Sequence, residues 1–310
     1  MFKKARPFFL HVITPLHAGS GNDLGIVDLP IQREKHTDYP KIESSSLKGG
    51  LREAFEEQRD KIIVGDKEVN EKNKQNTINL VFGPENTGAE GHAGAIGFTD
   101  GRTLLFPVKS MKGVFAWITC PNVLGVFERE LKLCGIDTTF LNGIQKNTVS
   151  DDEYLLVNEK NIILEEYTFE VSKNDKTETL ALWLSKKIGI EDINKKLVIL
   201  SDDDFSDFIN LSTEVITRIK IDPDTGTVAK GALFTEEFLP PETVIYSLVL
   251  SSKIFKEKKD DKGIFNQNSK EEDLIMEYFI KSLPEVIQLG GDATLGKGII
   301  RTKVMEVQNG

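Results

Sequence analysis

Residues 8–14 read FFLHVIT, an apolar stretch whose side chains alternate in the manner of a β-strand. A glycine-rich loop follows at 18–25, and residues 46–57, SLKGGLREAFEE, then take up the spacing of a helix. The apolar side chains of this helix fall at i, i+4, i+7 and i+8 and share one face: Leu47, Leu51, Ala54 and Phe55. The serines at 44–46 are predicted to cap its N terminus.

The same alternation of strand and helix continues along the chain. Strands are predicted at 94–99, 103–108 and 113–120, a helix near 123–133, and a buried strand at 244–250. A helix at 271–283 precedes a short strand, VIQLG, and a closing strand, IIRTKVMEV. Strand, helix, strand pair, helix, strand is the order of a ferredoxin-like domain. We therefore predict one α+β domain over 1–310.

Three segments interrupt this plan and are predicted as insertions. Residues 58–80 are polar and rich in Lys and Asn, 136–240 look irregular, and 256–272 are highly charged. Within the second insertion, TRIKIDPDTGTVAKGALF places the turn residues DPDTG between two alternating arms. This pattern predicts a β-hairpin over about 214–238.

Composition favours an ordinary folded protein. The 310 residues are 39% hydrophobic, enough for a sizeable core, and the formal net charge of −10 lowers the expectation of nucleic-acid binding. The acids, however, are clustered elsewhere, because residues 101–127 contain Arg102, Lys109 and Lys112 and no acid. A local basic track on an acidic protein is therefore compatible with the sequence.

The N-terminal stretch resembles a signal peptide, but His11 and Pro15 interrupt its apolar part. No apolar run approaches the roughly 20 residues of a membrane span. Cys120 and Cys134 show no paired spacing and are read as reduced thiols. We expect a cytoplasmic protein without a membrane partner.

The segment 290–298, GGDATLGKG, is one residue short of a phosphate-binding P-loop, because Gly298 stands where Ser or Thr would hold magnesium. A strand pattern follows it, so no helix N terminus is available for phosphates. These departures argue against a nucleotide-using enzyme. What remains is a turn that either approaches a nucleic-acid backbone through Gly290, Gly291 and Lys297 or has no binding role.

Two similar phrases, SSLKGG and KSMKGV, each combine a hydroxyl residue, Lys and Gly around Lys48 and Lys112. Such groups at a helix start form an anion-binding corner, although single lysines are more often simply solvated.

His17 and Asp28 lie eleven residues apart near the first glycine loop. A histidine and a carboxylate so placed are suited to general acid–base catalysis or to binding a divalent ion. The alternative is a structural role, in which His17 packs within the fold and Asp28 caps a turn.

The segment TEEFLPP, at 235–241, places Glu236 and Glu237 side by side at the end of the hairpin arm. Adjacent strand residues face opposite sides, so one of the two glutamates can turn toward the first loop. The alternative for both is a solvated acidic edge.

Taken in order, HAGSGNDLGIVDLPIQREKHTDYPKIESSSLKG, FPVKSMKGVFAWIT, the hairpin segment and GGDATLGKG resemble the repeating backbone subunits of type III-B CRISPR effectors, the Cmr complexes of the RAMP superfamily. The resemblance covers nearly the whole chain. It implies a ferredoxin-like or RRM-like palm, finger-like insertions and a protruding thumb hairpin. It also implies that several copies stack along a CRISPR RNA with other Cmr subunits and cut complementary target RNA at regular intervals.

The resemblance further implies that Asp28 is catalytic, that His17 and Glu236 support it, and that Lys48 contacts the guide backbone. This chain has Phe238 where the family can have Tyr. The side chains and glycines expected at RNA are Ser46, Lys48, Arg52, Lys109, Lys112, Gly290, Gly291 and Lys297. The expected reaction is attack of a 2′-hydroxyl on its own 3′-phosphate, with a divalent cation, Mg²⁺ or Mn²⁺.

Two alternatives to this function stay open, as does the role of Asp28 as base or metal ligand. One is a scaffold subunit that binds the guide without catalysis. The other is a stand-alone ribonuclease that processes the CRISPR repeat with His17 and without metal.

Overall fold

The structure, a computed structural model, describes residues 2–21, 25–85 and 91–306. Residues 22–24 of the predicted glycine-rich loop lie outside the described residues. Within the described ranges, no helix is both long enough and apolar enough to cross a membrane.

The chain folds as a mixture of strands and helices. The strands are β1 Lys4–Val12, β2 Lys41–Ile42, β3 Ile62–Val64, β4 Lys67–Val69, β5 Ile96–Phe98, β6 Gly101–Lys109, β7 Phe115–Thr119, β8 Thr148–Val149, β9 Asn161–Leu164, β10 Tyr167–Glu170, β11 Ser172–Lys173, β12 Leu197–Ile199, β13 Glu214–Ile221, β14 Val228–Phe238, β15 Val244–Ser251, β16 Val286–Gln288 and β17 Ile299–Val304. The helices are α1 Ser44–Glu57, α2 Lys74–Phe82, α3 Pro121–Leu133, α4 Asp152–Leu155, α5 Asp175–Leu184, α6 Ile193–Lys196, α7 Asp202–Leu211 and α8 Glu271–Ser282.

One large mixed sheet organises these elements, in the order β11-β8-β12-β7-β6-β15-β1-β17-β16. Its centre, β6-β15-β1-β17, is antiparallel throughout, and β1 lies between β15 and β17. Toward one edge, β12 runs parallel to β7 and antiparallel to β8. The predicted combination of a sheet with packed helices is therefore confirmed at the level of a mixed α/β fold.

The core lies on both faces of β1, which explains why its sequence is almost continuously apolar. The ring of Phe8 packs edge-on against Phe279 of α8, which stacks in turn on Phe55 of α1. The next residue, Phe9, points to the opposite face and contacts Phe127 of α3. Helices α1 and α8 thus cover one face of the sheet centre, and α3 covers the other.

The start of α1 differs from the prediction. The serines at 44–46 form its first turn, and the N-cap residue Glu43 makes no side-chain cap bond. The N–H of Ser44 instead donates to Oδ1 of Asp100, at 2.9 Å. The expected serine cap is therefore wrong: the carboxylate of Asp100, in the turn before β6, accepts from the helix N terminus in place of a serine hydroxyl.

The segments expected to be irregular contain regular structure. Residues 58–80 form the β3–β4 pair and most of α2, and 136–240 contain α4 to α7 and several short strands, of which β8, β11 and β12 join the main sheet. The charged segment 256–272 includes a 3₁₀ turn, Lys259–Phe265, that buries Phe265. Strands of two to four residues show too little periodicity to be recognised in a sequence.

The hairpin predicted from DPDTG is present. Strands β13 and β14 pair antiparallel, with Thr217 opposite Thr235 and Ile219 opposite Leu233. The turn is closed by a 2.8 Å hydrogen bond from the Asp222 N–H to the Thr227 carbonyl. The base of β14 continues into the body of the protein, where it meets the loop that follows β1.

Candidate functional site

Three consecutive residues at the base of β14, at 235–237, organise the site. The free edge of β14 is paired by the segment around Leu29, whose N–H donates to the Thr235 carbonyl at 3.0 Å and whose carbonyl accepts from the Glu237 N–H at 3.0 Å. This short parallel pairing lays the loop after β1 along the hairpin base. Asp28 therefore comes to lie beside Thr235.

Asp28 is exposed, and Thr235 holds its carboxylate. Oδ2 of Asp28 accepts from the Thr235 N–H at 2.7 Å and from the Thr235 hydroxyl at 2.9 Å. The hydroxyl oxygen accepts in turn from the Asp28 N–H at 3.0 Å. The backbone bond and the hydroxyl bond of Thr235 lower the pKa of Asp28 below its usual 3.8. Asp28 is thus a solvent-facing carboxylate that is ionised at neutral pH and fixed in orientation.

His17 is held from both sides. Its Nδ1 lies 2.8 Å from the Glu237 carbonyl, which only accepts, so Nδ1 carries the proton. Its Nε2 then faces Oε1 of Glu236 at 3.7 Å. Its carbonyl accepts from the Gly291 N–H at 3.0 Å, and a Cβ at Gly290 would lie 2.3 Å from that carbonyl oxygen. Glycine at 290 is therefore required for the close approach that places His17.

Glu236 is buried and faces two groups besides His17. Oε2 of Glu236 lies 2.6 Å from Nε of Arg218 on β13. Nη2 of Arg218 donates to Oδ2 of Asp292 at 2.5 Å. Burial, followed by the negative charge of Asp292, raises the pKa of Glu236, and His17 and Arg218 act in the opposite direction. Glu236 therefore holds a proton more readily than an ordinary glutamate does.

Glu237 is also buried and faces the other way, so the expected divergence of the two glutamates is confirmed and the solvated acidic edge is wrong. Its carboxylate accepts from the Ile31 N–H at 3.0 Å, the Thr213 hydroxyl at 2.7 Å and Nη2 of Arg33 at 2.5 Å. Three donors on one carboxylate lock the loop that carries Asp28 onto the hairpin base.

The structure brings His17 and Glu236 together and sets Asp28 beside the residue that precedes Glu236. Sequence reasoning missed two charged partners, Arg218 and Asp292. Asp292 lies inside GGDATLGKG, whose glycines and Lys297 were considered for RNA binding while its carboxylate was not. The sequence around Arg218 predicts only that it lies in one arm of the hairpin and does not indicate a role at the site.

Two of the basic residues expected at RNA are engaged within the protein. Nζ of Lys48 donates to the Ile96 carbonyl at 3.2 Å, and burial, followed by the nearby charge of Arg52, lowers the pKa of Lys48. Arg52 donates to Glu56, to Asn79 and to the Gly83 carbonyl. The Arg52 guanidinium thus has its contacts inside the fold.

Other expected RNA contacts are more accessible. Lys109 at the end of β6 and Lys112 in the turn that follows are both exposed, and neither forms an ion pair with any described residue. Nζ of Lys297 lies 4.9 Å from the centre of the Phe238 ring. Ser46 lies in the first turn of α1, and its hydroxyl oxygen accepts from the Gln32 side chain at 3.3 Å.

Across residues 2–21, 25–85 and 91–306, no group of three or more His, Cys, Asp and Glu side chains is arranged to hold a metal ion. A cage of protein ligands around Asp28 does not form from these residues. Asp28 alone fits the way Mg²⁺ is often bound, by one or two carboxylates with substrate phosphates and water supplying the other ligands.

Comparison with known proteins gives a consistent result. The family model of the RAMP superfamily matches residues 9–301. The CRISPR system Cmr endoribonuclease Cmr4 of Pyrococcus furiosus is 37% identical over 307 residues, which cover 97% of this chain and 95% of that protein. The CRISPR system CMR subunit Cmr4 of Saccharolobus solfataricus is 25% identical over 327 residues, 96% of each chain.

Solved structures agree with these relatives. The crystal structure of oligomeric Cmr4 from Pyrococcus furiosus matches with a TM-score of 0.70 and 30% identity over 99% of each chain. A chain in the cryo-EM structure of the type III-B Cmr-beta complex bound to cognate target RNA matches with a TM-score of 0.73 and 25% identity over 98% of each chain.

Proposed function

The chain belongs to the RAMP superfamily, within the Cmr4 family of type III-B CRISPR effectors, and on that basis we propose that it is the repeating backbone subunit of such an effector. It binds CRISPR RNA beside further copies of itself and other Cmr subunits, and it cleaves complementary target RNA. The 37% identity to a protein named as an endoribonuclease supports the activity. The likeness to an oligomeric Cmr4 and to a chain of a complex with target RNA supports the assembly.

The strand order supports the finer description of the fold. Read as four strands, β17-β1-β15-β6 has the order 4-1-3-2, with α1 following β1 and α8 following β15. This is the connectivity of a ferredoxin-like or RRM-like palm. The β13–β14 hairpin is the thumb, and the segments between the palm elements are the fingers.

One observation carries the assignment of the cleavage site: the exposed Asp28 carboxylate is fixed by Thr235 at the base of the hairpin. A hairpin that enters a guide–target duplex displaces a nucleotide and frees its sugar to rotate. The 2′-hydroxyl then comes into line with its own 3′-phosphate, which attack requires. Asp28 accepts a hydrogen bond from that hydroxyl and orients it.

The reaction exchanges one P–O bond for another. The 2′-oxygen passes its proton to solvent and bonds to phosphorus, while the bond to the 5′-oxygen breaks and that oxygen takes a proton from the His17–Glu236 pair. The products are a 2′,3′-cyclic phosphate and a 5′-hydroxyl. The lowered pKa of Asp28 makes it a weak proton acceptor, which favours a role in orienting the hydroxyl or holding a cation over a role as general base.

His17 and Glu236 supply the remaining proton chemistry. Nε2 of His17 and the Glu236 carboxyl face each other at 3.7 Å, and the pKa of Glu236 is raised. The pair therefore holds a proton for the departing 5′-oxygen. An Mg²⁺ or Mn²⁺ ion held by Asp28 and RNA phosphates would help to ionise the 2′-hydroxyl and neutralise charge on the phosphate.

The test uses the complex reconstituted with guide RNA and end-labelled complementary RNA. Asp28→Asn is compared with Asp137→Asn, a matched control, because Asp137 is also exposed and its carboxylate also accepts from a threonine N–H and hydroxyl, those of Thr139. We expect evenly spaced cuts with wild type and Asp137→Asn and none with Asp28→Asn, at unchanged guide and target affinity. Thr235→Val, which removes only the hydroxyl contact to Asp28, is expected to slow cutting.

The other readings predict different results. Unchanged cutting by Asp28→Asn moves the chemistry to another subunit and leaves this chain a scaffold. Cleavage of the CRISPR repeat by the isolated chain in chelator indicates a processing ribonuclease. A target with a 2′-deoxy sugar at the cut position is expected to resist cleavage, because the attacking group is absent.

A further inference from the structure

Arg218 joins two acids from different elements, Glu236 on β14 and Asp292 in the 290–298 loop. It lies on β13 at the hairpin base, opposite Phe234, and its guanidinium carbon is 5.6 Å from the centre of the Phe238 ring. Its Nε lies 2.6 Å from Oε2 of Glu236, but this N–H makes no aligned hydrogen bond. Its Nη2 donates to Asp292 at 2.5 Å. The orientation of the guanidinium is therefore set by Asp292.

Asp292 is itself held in an unusual backbone conformation. Its φ of 62° lies in the left-handed region, which Asp and Asn tolerate better than other residues with a side chain. Its carbonyl accepts from the Leu295 N–H at 2.9 Å, which closes the turn. The left-handed position directs the carboxylate toward the hairpin rather than along its own loop.

We propose that Asp292 and Arg218 form a positioning clamp for the cleavage reaction, in which Asp292 orients Arg218 and Arg218 holds the Glu236 carboxylate against His17. The clamp joins the hairpin base to the 290–298 loop. Neither residue needs to touch RNA. The inference rests on the proposed function, since it assigns the support of that same site.

The charges around Glu236 show how the clamp acts. The groups that face it are Arg218 on β13, His17 after β1 and Asp292 in the 290–298 loop, and Lys297 lies nearby over the Phe238 ring. Two carboxylates thus share one guanidinium. The negative charge of Asp292 favours the protonated form of Glu236 and the charge of Arg218 opposes it, so Asp292 is the member of the clamp that keeps a proton beside the reacting phosphate.

The decisive variant is Asp292→Asn in the guide-bound complex. Asparagine keeps an oxygen that accepts from Arg218 and tolerates the left-handed conformation, but it carries no charge. Without that charge the pKa of Glu236 falls, so the pH dependence of single-turnover cleavage is expected to move to lower pH. Guide and target affinities are expected to stay within about twofold of wild type, because no RNA contact is removed.

A companion variant and a matched control complete the series. Asp292→Ala also removes the acceptor that orients Arg218, so cleavage is expected to slow by roughly tenfold or more at every pH. Asp273→Asn is the control, because its carboxylate is also paired with a cation, Lys4 at 3.0 Å, near the far end of β1 from His17. It is expected to leave both rate and pH profile unchanged.

The results separate two kinds of failure. The first is failure of the clamp alone: wild type cuts, Asp292→Asn shows the wild-type pH profile and Asp292→Ala keeps the wild-type rate. That result refutes the clamp and leaves the proposed cleavage site unaffected. If wild type binds guide and target but never cuts, the proposed function itself is refuted. A shifted profile with Asp292→Asn and a slow Asp292→Ala, at intact binding, supports the clamp.

Discussion

Replacing Glu237 by Gln is expected to destabilise the protein far more than an ordinary loss of one charge. The Glu237 carboxylate accepts from Arg33, Ile31 and Thr213 at once. Glutamine has one accepting oxygen and turns an NH₂ group toward donors. The substitution therefore leaves the Arg33 guanidinium without its counter-charge and unlocks the loop that carries Asp28 from the hairpin.

The magnitude follows from burial. The side chains of Arg33 and Glu237 are 17% and 6% exposed, so the pair is largely shielded from water. Removing one partner of a buried pair costs about 3–5 kcal/mol, and the residual exposure of Arg33 and its other hydrogen bonds reduce this to roughly 2–4 kcal/mol. With an unfolding entropy of about 2.1 cal/mol/K per residue, a chain of 310 residues loses roughly 3–6 °C of Tm.

The assay is thermal unfolding at pH 7 of wild type, Glu237→Gln and a matched surface variant, Glu285→Gln. Glu285 pairs with Arg301 at 3.6 Å, but the Arg301 and Glu285 side chains are 48% and 80% exposed, so its loss is expected to cost about 0–1 kcal/mol. The expected loss of Tm for Glu237→Gln is several degrees. A Tm within about 1 °C of that of the surface variant would therefore refute the locking role of Glu237.

Further outcomes concern stability and thiol chemistry. Burial tends to raise the pKa of Asp100, but the hydrogen bonds from Lys41 and Ser44 outweigh it and hold that pKa below 3.8. Asp100→Ala is therefore expected to lower the free energy of unfolding by about 1–2 kcal/mol at pH 7, since the carboxylate caps α1. The contribution is present above the unfolded pKa and is lost as pH falls through the folded one, so urea unfolding of the two proteins should converge in acid. Burial raises the pKa of Cys120 and of Cys134 to about 12, so neither thiol is expected to react with a thiol reagent at pH 8 until the protein unfolds. Rapid labelling of the native protein would contradict this.

The elements with long, regular patterns were predictable from the sequence. Strand β1, α1 and α8 were all found within a few residues of their ends, because each presents a sustained apolar face to the sheet. The hairpin was predictable because its turn residues sit between two alternating arms. The middle of the chain was not, because β8 and β11 have two residues each and β12 has three, and they are stabilised by neighbours rather than by local preference.

The site was only partly predictable for a similar reason. Asp28, His17 and Glu236 stood out through motif and resemblance, and their roles stay predictions. The contacts that hold them join residues far apart in sequence: Arg218 and Asp292 are 74 positions apart, and Arg33 and Glu237 are 204 apart. No local pattern reports such pairings, because only the fold brings them together.

The position of β1 in the sheet has a consequence for synthesis on the ribosome. Both of its neighbours, β15 and β17, are translated after residue 243, so this strongly apolar strand leaves the exit tunnel long before any partner exists. The nascent chain must be shielded during this delay, since early pairing with another chain would aggregate it. A polypeptide released before residue 292 lacks Asp292, the acid that pairs with Arg218, so an incomplete product cannot assemble the proposed cleavage site.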